Sequence, residues 1–390
     1  MSSDSLGVAS GNGWDMVEFD DTVSLLREGY GWLPNLRRRS PDGVARTRLL
    51  GRRVVGVCGP EAARWFADEQ LVRRTRPDHG SPRAAMFLSL INNDQRLAGH
   101  TAESWDETVN AWTPGQLVVI FDEAAKVLTR GACRWAGIPV SPAEVPALAA
   151  ELVAVVDGSL APSLRYWRAR AARRRCEEWF RLRIADVWSG RREAASWSIV
   201  CRRDEAGRPL DPGLAAAELV NVLQPTVALA WFVAFAAHAM HRWPDCRERL
   251  TEPGGPEGFV NELRRFYPFL PFLTGKAIRD LPVARAGSTL LFDVYGYNHD
   301  PERWDRPYRF DPTRRQGPEP HCPGEAVTVL LLRTLVTRLA ALEWRMPHQN
   351  LHIPLSRIPT LPVSGLILQP LRGPAMVEPG RVAESGRRGN

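Results

Sequence analysis

The sequence predicts a mostly α-helical protein with minor β-structure at its edges. Three observations carry this expectation. Apolar residues recur at helical spacing through most of the chain from Pro60 onward. The segment from Asp211 to about Arg242 is the longest periodic stretch and is apolar on nearly every face, as a helix at the centre of a large fold is. The stretch from Leu164 to Trp188 is long, periodic and arginine-rich. With 390 residues, 44% hydrophobic and 24% charged, the chain can bury a large core. That composition excludes a disordered chain, a collagen and a disulfide-framework mini-protein.

In chain order, residues 1–20 read as a mobile lead, 21–375 as one domain and 376–390 as a disordered tail. DTVSLLREGY (21–30) reads as a short amphipathic helix. RTRLLGRRVVGVC (46–58) alternates around a central turn and reads as a hairpin. Helices are expected over Pro60–Ala67, Glu103–Trp112, Asp122–Ala136, Pro142–Asp157 and Leu164–Trp188, with a polar loop at 202–209. Asp211-Pro212 then supplies an N-cap and a proline at the first helical position. Pro225 lies inside this helix, where it removes a hydrogen bond at a cost of about 3 kcal/mol. A kink that makes room for a ligand and a tolerated structural kink are both compatible with it. A helix at Glu257–Phe266, an extended segment GSTLLFDV (287–294), loops over 295–321, a last helix from Pro323 to Leu342 and short proline-broken strands complete the pattern.

The net charge is +7, and every basic residue except Lys126 and Lys276 is arginine. No helix-turn-helix, zinc finger or aromatic platform accompanies the charge, so nucleic acid is not an expected partner. The first residues are polar and carry two aspartates, unlike a signal peptide or anchor. No uninterrupted apolar run reaches the ~18–20 residues that span a bilayer. The expectation is a cytoplasmic protein with no membrane partner.

Six cysteines, at 58, 133, 176, 201, 246 and 322, form no CxxC pair, which argues against structural zinc. Cys322 stands apart, in HCPGE (321–325) at the start of a long helix. A thiol there faces the positive end of the helix dipole, which favours a metal-bound thiolate. Glu262 and Arg265 lie three apart on one helix face, and FDPTRR (310–315) supplies Arg314. His238 and His241 sit at helical spacing without a visible third metal ligand, and Asn298-His299-Asp300 could be a catalytic pair or a structural loop.

The order Glu-x-x-Arg, Pro-x-Arg, then Cys-x-Gly-Glu opening a helix resembles the haem-thiolate cytochrome P-450 superfamily. The finer match is to its bacterial fatty-acid peroxygenase branch. It is carried by LLREGYGWLPN (25–35), MFLSL (86–90), CRWAGIPV (133–140), AAAELVNVLQPTVALAWF (215–232), RRFYPFLPFL (264–273), DVYGYNHDPERWDRP (293–307) and LPVSGL (361–366). The resemblance implies the triangular helical prism with small edge sheets of that family. It implies that Glu262, Arg265 and Arg314 form the structural ion-pair network and that Cys322 is the axial ligand of haem iron. His321, beside the cysteine, is a second candidate ligand or a loop residue facing solvent.

The sequence departs from this branch in four places. Gln224-Pro225 falls where the branch carries Arg-Pro, whose arginine binds the fatty-acid carboxylate and holds it as the acid–base for peroxide. A neutral amide forms no charge-assisted bidentate pair, so a carbonyl, amide or hydroxyl fits better than a plain fatty acid. The segment before MFLSL is cut to PDHGSPRAA (77–85), leaving Arg83 as the basic residue aligned with the helix that supports a haem propionate. The hairpin after Asp280 is cut to LPVARA (281–286). Only Arg315 to His321 separate Arg314 from Cys322.

Two enzymes are therefore expected as alternatives. One is a haem-thiolate oxidoreductase of peroxygenase-like type, with haem b. It takes oxidising equivalents from hydrogen peroxide or a separate redox partner and acts on a specialised small molecule of natural product biosynthesis. Gln224 and Pro225 then face the substrate. The other is a haem-free protein of the same fold that catalyses a cyclisation, isomerisation or similar non-redox reaction in the vacated cavity. Trp231, Phe232 and Phe235 are candidate pocket residues in either case, and aromatic faces there could stabilise positive charge. A third reading is a non-catalytic binding protein using the basic helix at 164–188.

Overall fold

A computed structural model of the chain describes residues 19–74, 95–158, 164–189, 211–314 and 325–372. The chain divides into two compact units, Met1–Thr75 with Leu270–Tyr297, and Arg76–Phe269 with Asn298–Asn390.

The first unit begins with helices α1 (Thr22–Glu28) and α2 (Trp32–Arg38). The expected hairpin follows as β1 (Ala45–Leu49) and β2 (Arg52–Val57). It turns at Leu50-Gly51, both with positive φ, the handedness that matches strand twist. Helix α3 (Pro60–Ala67) has the predicted bounds, with proline in its first turn. Strand β3 (Val72–Arg74) follows, and the chain returns to this unit with β4 (Phe272–Ala277) and β5 (Thr289–Asp293). The sheet runs β1-β2-β5-β4-β3, with β2 and β5 parallel and the other pairs antiparallel. The shortened LPVARA segment closes on itself through a Leu281–Ala284 bridge. Valines of β2, Phe66 and Phe292 form the core on this sheet.

The second unit is helical. Helix α4 (Gln95–Asn110) begins well before the expected Glu103. It packs on α5 (Ile120–Ala136), where Gly131 lets the backbones touch: a Cβ there would lie 2.9 Å from the Thr101 Cα. Helices α6 (Val145–Gly158) and α7 (Leu164–Trp188) follow. The central segment is two helices rather than one, α8 (Pro212–Val227) and α9 (Leu229–Arg242). Asp211 caps α8 as expected, its Oδ1 accepting from the N–H groups of Gly213 at 2.9 Å and Leu214 at 3.0 Å. The break at Ala228 lies one turn beyond Pro225, which has no N–H to offer Asn221.

Although polar residues interrupt it, Pro212–Arg242 is long and apolar enough to cross a membrane by length and composition. Yet 78% of its most apolar window is buried within the protein, as in a core helix. Helices α10 (Gly255–Phe266) and α11 (Glu325–Ala341) complete the bundle. A small sheet joins Val118–Val119, Ile367–Pro370 and Trp344–Arg345.

Where α9 meets the end of α10, the His238 Nδ1 lies 2.7 Å from the Tyr267 hydroxyl. Burial raises the Tyr267 pKa well above its ordinary value, so the hydroxyl keeps its proton in the hydrogen bond it shares with the ring. Burial, followed by the charges of His241 and Arg242, lowers the His238 pKa to about 4, so the ring is a neutral hydrogen-bond partner in the core. Its folded pKa lies below its unfolded value. Its contribution is therefore present above about pH 6.5 and is lost as the pH falls toward 4. Wild-type stability to urea is expected to fall by about 2 kcal/mol more than that of His238→Gln between pH 7.5 and 5. Parallel pH profiles would show that the ring is not held neutral.

Candidate active site

The frame of the site is a buried ion pair on α10. Arg265 is 0% exposed and Glu262 is 1% exposed at the side chain. Nε and Nη2 of Arg265 donate to the two carboxylate oxygens of Glu262, both at 2.7 Å. Nη1 donates to the carbonyls of Asn298 and Pro307, and Nη2 also reaches Pro307. Asn298 returns a bond from Nδ2 to the Arg265 carbonyl at 3.1 Å. Glu262 further accepts the Asp311 N–H at 2.9 Å and lies 3.4 Å from the Arg314 Nε, an ion-pair contact without hydrogen-bond geometry. Arg314 spends its Nη2 on the carbonyls of Arg306 and Arg309. Glu262, Arg265 and Arg314 are thus brought together as the resemblance implied. His299 belongs to the same support: it is buried, stacked on Tyr308 and edge-on to Phe266.

The second feature is a gap in the burial of α8 and α9. From Leu219 to Ala237 every residue is buried except Asn221, Gln224, Pro225 and Ala228. These four are spaced i, i+3, i+4 and i+7, so they form one stripe along the helix. Pro225 is exposed and the other three are half-buried. The otherwise buried segment thus keeps one narrow, less buried face. Thr226, beside the stripe, turns its hydroxyl back to the Val222 carbonyl at 3.0 Å.

Trp231, Phe232 and Phe235 are almost wholly buried beyond this stripe. Trp231 lies two turns after Gln224 on the same face. Its ring meets Phe121 edge-on at 4.7 Å and Phe269 at 5.8 Å, and its buried indole N–H has no acceptor among the described residues. Phe232 also approaches Phe269, at 6.3 Å, whereas Phe235 stacks on Tyr267 at 4.4 Å inside the core. Sequence reasoning missed Phe269, Asn221 and Ala228. The only sequence signal for the last two was their helical spacing from Gln224-Pro225.

Cys322, His321 and Arg83 lie outside the described residues. Helix α11 is described from Glu325, three residues after Cys322, and Glu325 accepts from the Arg264 Nη1 at 2.9 Å. The buried Glu262–Arg265–Arg314 frame fits the structural support of a haem-thiolate site. Three of the four described cysteines do not compete for the role: burial raises the thiols of Cys133, Cys176 and Cys246 to about 12.

Solved structures similar to this chain are cytochromes P450. Cytochrome P450EX alpha, solved with myristic acid, is 30% identical and superposes with a TM-score of 0.78 over 91% of this chain and 98% of that one. Cytochrome P450SP alpha with (R)-ibuprophen is 29% identical, with the same score over 90% and 98% of the two chains. A variant of cytochrome P450 OleT with arachidonic acid is 26% identical, again at 0.78, over 91% and 98%. Among curated proteins, a probable cytochrome P450 4s3 of Drosophila melanogaster is 29% identical over 98 residues, 21% of this chain and only 20% of that relative's length. No family model matches the chain. The fold and the buried Glu-x-x-Arg frame are those of a P-450-type enzyme. The chain belongs to the cytochrome P-450 superfamily, in its fatty-acid peroxygenase-like branch.

Removing one partner of a fully buried pair strands the other charge. Arg265→Met is therefore expected to cost about 3–5 kcal/mol in urea unfolding. Arg181→Ala, which breaks an exposed bridge to Glu178, is expected to leave the midpoint unchanged. Similar losses for both variants would contradict the role given to the frame.

Proposed function

We propose that the protein is a haem-thiolate enzyme of peroxygenase-like type whose substrate presents a neutral polar head rather than a free carboxylate. The observation that carries this reading is Gln224 on the open stripe of an otherwise buried helix. Its amide donates to a carbonyl and accepts from an N–H or O–H, but it supplies neither a charge-assisted pair nor a proton. Pro225, inside the same helix, is the exposed member of that stripe and carries no N–H. Trp231, Phe232 and Phe269 would pack against the apolar part of the substrate. The fatty acids in the structures of P450EX alpha and P450 OleT support an apolar body of that kind.

Cys322 would hold the iron of haem b, with Glu262, Arg265 and Arg314 supporting its loop and Arg83 facing a haem carboxylate. Bound there, haem supplies oxidising chemistry driven by hydrogen peroxide or a separate redox partner. Gln224 then fixes which carbon of the substrate is presented. A head group without its own acid leaves proton supply to water. This suits a hydroxylation, decarboxylation or coupling step in natural product biosynthesis.

One observation favours the haem-free reading, a cyclisation or isomerisation along the same stripe. The segment from Arg315 to His321 is short, and Pro320, two positions before Cys322 in the sequence, brings no N–H. The two readings separate in an absorption spectrum of protein made in cells fed a haem precursor. The expected result is a Soret band at full occupancy that moves to the thiolate position with carbon monoxide after reduction, and that Cys322→Ala abolishes. Folded protein without a Soret band would overturn the haem reading.

A further inference from the structure

The arginine-rich helix α7 has an exposed face that neither the packing nor the proposed reaction uses. Its packed side is Ala169, Ala172, Cys176, Phe180 and Ile184, all buried. On the opposite side Leu164, Trp167, Arg168, Ala171, Arg174 and Arg175 are exposed. Their spacing of i, i+3, i+4, i+7, i+10 and i+11 makes them one stripe along the start of the helix. Leu164 is 83% exposed and Trp167 67%, so neither belongs to the core. The Trp167 ring stands edge-on to Tyr166 at 5.6 Å. Arg170 flanks the stripe and lies over the same tyrosine, its Nη1 donating to the hydroxyl at 3.1 Å. From Leu164 to Arg175 the helix carries six arginines and no carboxylate. Neighbouring acids answer three of them. Arg165 pairs with Asp157 at 3.4 Å, and Arg173 with Glu177 and Arg175 with Glu151, both at 2.7 Å. Among the described residues Arg168, Arg170 and Arg174 have no ion-pair partner.

We propose that this face of α7 docks on an anionic lipid surface. Leu164 and Trp167 enter the headgroup layer, and Arg168, Arg170 and Arg174 pair with lipid phosphates. Charge complementarity names the occupant. Three uncompensated guanidiniums on one short stretch call for an anionic partner, and a guanidinium binds phosphate through paired N–H donors. The apolar part selects lipid over an acidic protein. Two protruding side chains one turn apart are too few for a stable protein interface, which buries about 800 Å² on each partner. They suffice at a bilayer interface, where a tryptophan ring sits at headgroup depth and the basic residues beside it meet the negative surface potential. The arginine stems also lie along apolar surface while their heads stay in the polar layer. The sequence expectation of no membrane partner rested on the lack of a spanning run or an anchor, and a surface contact needs neither. Neither Gln224 nor haem enters this contact, which concerns where the protein resides rather than what it converts.

The test is co-sedimentation of the purified full chain with vesicles of phosphatidylcholine alone, and of phosphatidylcholine with an equal share of phosphatidylglycerol. The wild type is expected to bind the anionic vesicles at least ~10-fold more tightly than the neutral ones, with affinity falling as salt rises. Arg168→Glu with Arg174→Glu should lower that affinity at least ~10-fold, and Trp167→Ala about 5-fold. All three positions are exposed, so these variants are expected to keep the wild-type melting temperature. Arg333→Glu with Arg345→Glu makes the same change in net charge at exposed positions on other elements, and should lose less than about 2-fold. An equal loss in that control overturns the proposal, because net charge alone then drives binding. Wild-type affinity in Trp167→Ala beside a loss in the α7 arginine pair overturns the lipid assignment and points to an acidic protein instead. A wild type that binds both kinds of vesicle equally, or neither, overturns it outright.

Discussion

A guanidinium with no exposure to water has to find acceptors for all of its N–H groups, and Arg265 finds them on three separate segments. The cost of burying that charge is offset only because Glu262 and two main-chain carbonyls surround it. As a result, helix α10, the turn at Asn298 and the loop around Pro307 are fixed relative to one another. Glu262 extends the network to Asp311 and Arg314. The network thus holds the chain as far as Arg314, which precedes Cys322 by eight positions in the sequence.

On the other side of the same unit, a proline in a buried helix decides where the interior opens. Every neighbour of the stripe from Leu219 to Ala237 is packed. Pro225 brings no N–H to the helix, whereas at the break the Ala228 N–H donates to the Gln224 carbonyl and the Ala228 carbonyl accepts from the Trp231 N–H. Replacing the branch arginine with Gln224 changes the character of that site from cationic to neutral without disturbing the helix, because both residues are good helix formers.

Much of the frame was legible in the sequence because it rests on local rules. The Asp211-Pro212 start, the bounds of the helix at Pro60–Ala67, the turn of the first hairpin and the Glu262–Arg265 pairing all follow from capping, turn chemistry and helical spacing. The break at Ala228 was not legible: a mid-helix proline announces strain, but the neighbouring packing decides where the chain gives way. The early start of α4 was hidden because its first turns, QRLAGHTA, carry few apolar residues. Phe269 was missed because its role depends on a contact with α9 that no local pattern encodes. Family resemblance, rather than periodicity, pointed to Arg314 and Gln224, and it also named Cys322, His321 and Arg83, which lie outside the described residues.

The central claim is that Gln224 sets the charge of the ligand head. The most direct measurement is the affinity of Gln224→Arg for myristic acid, compared with the wild type under the same salt. A charge-assisted pair restored at this position predicts at least a 10-fold gain for the acid. Unchanged affinity for the acid would show that residue 224 does not face the ligand head, and the account of the site would fall.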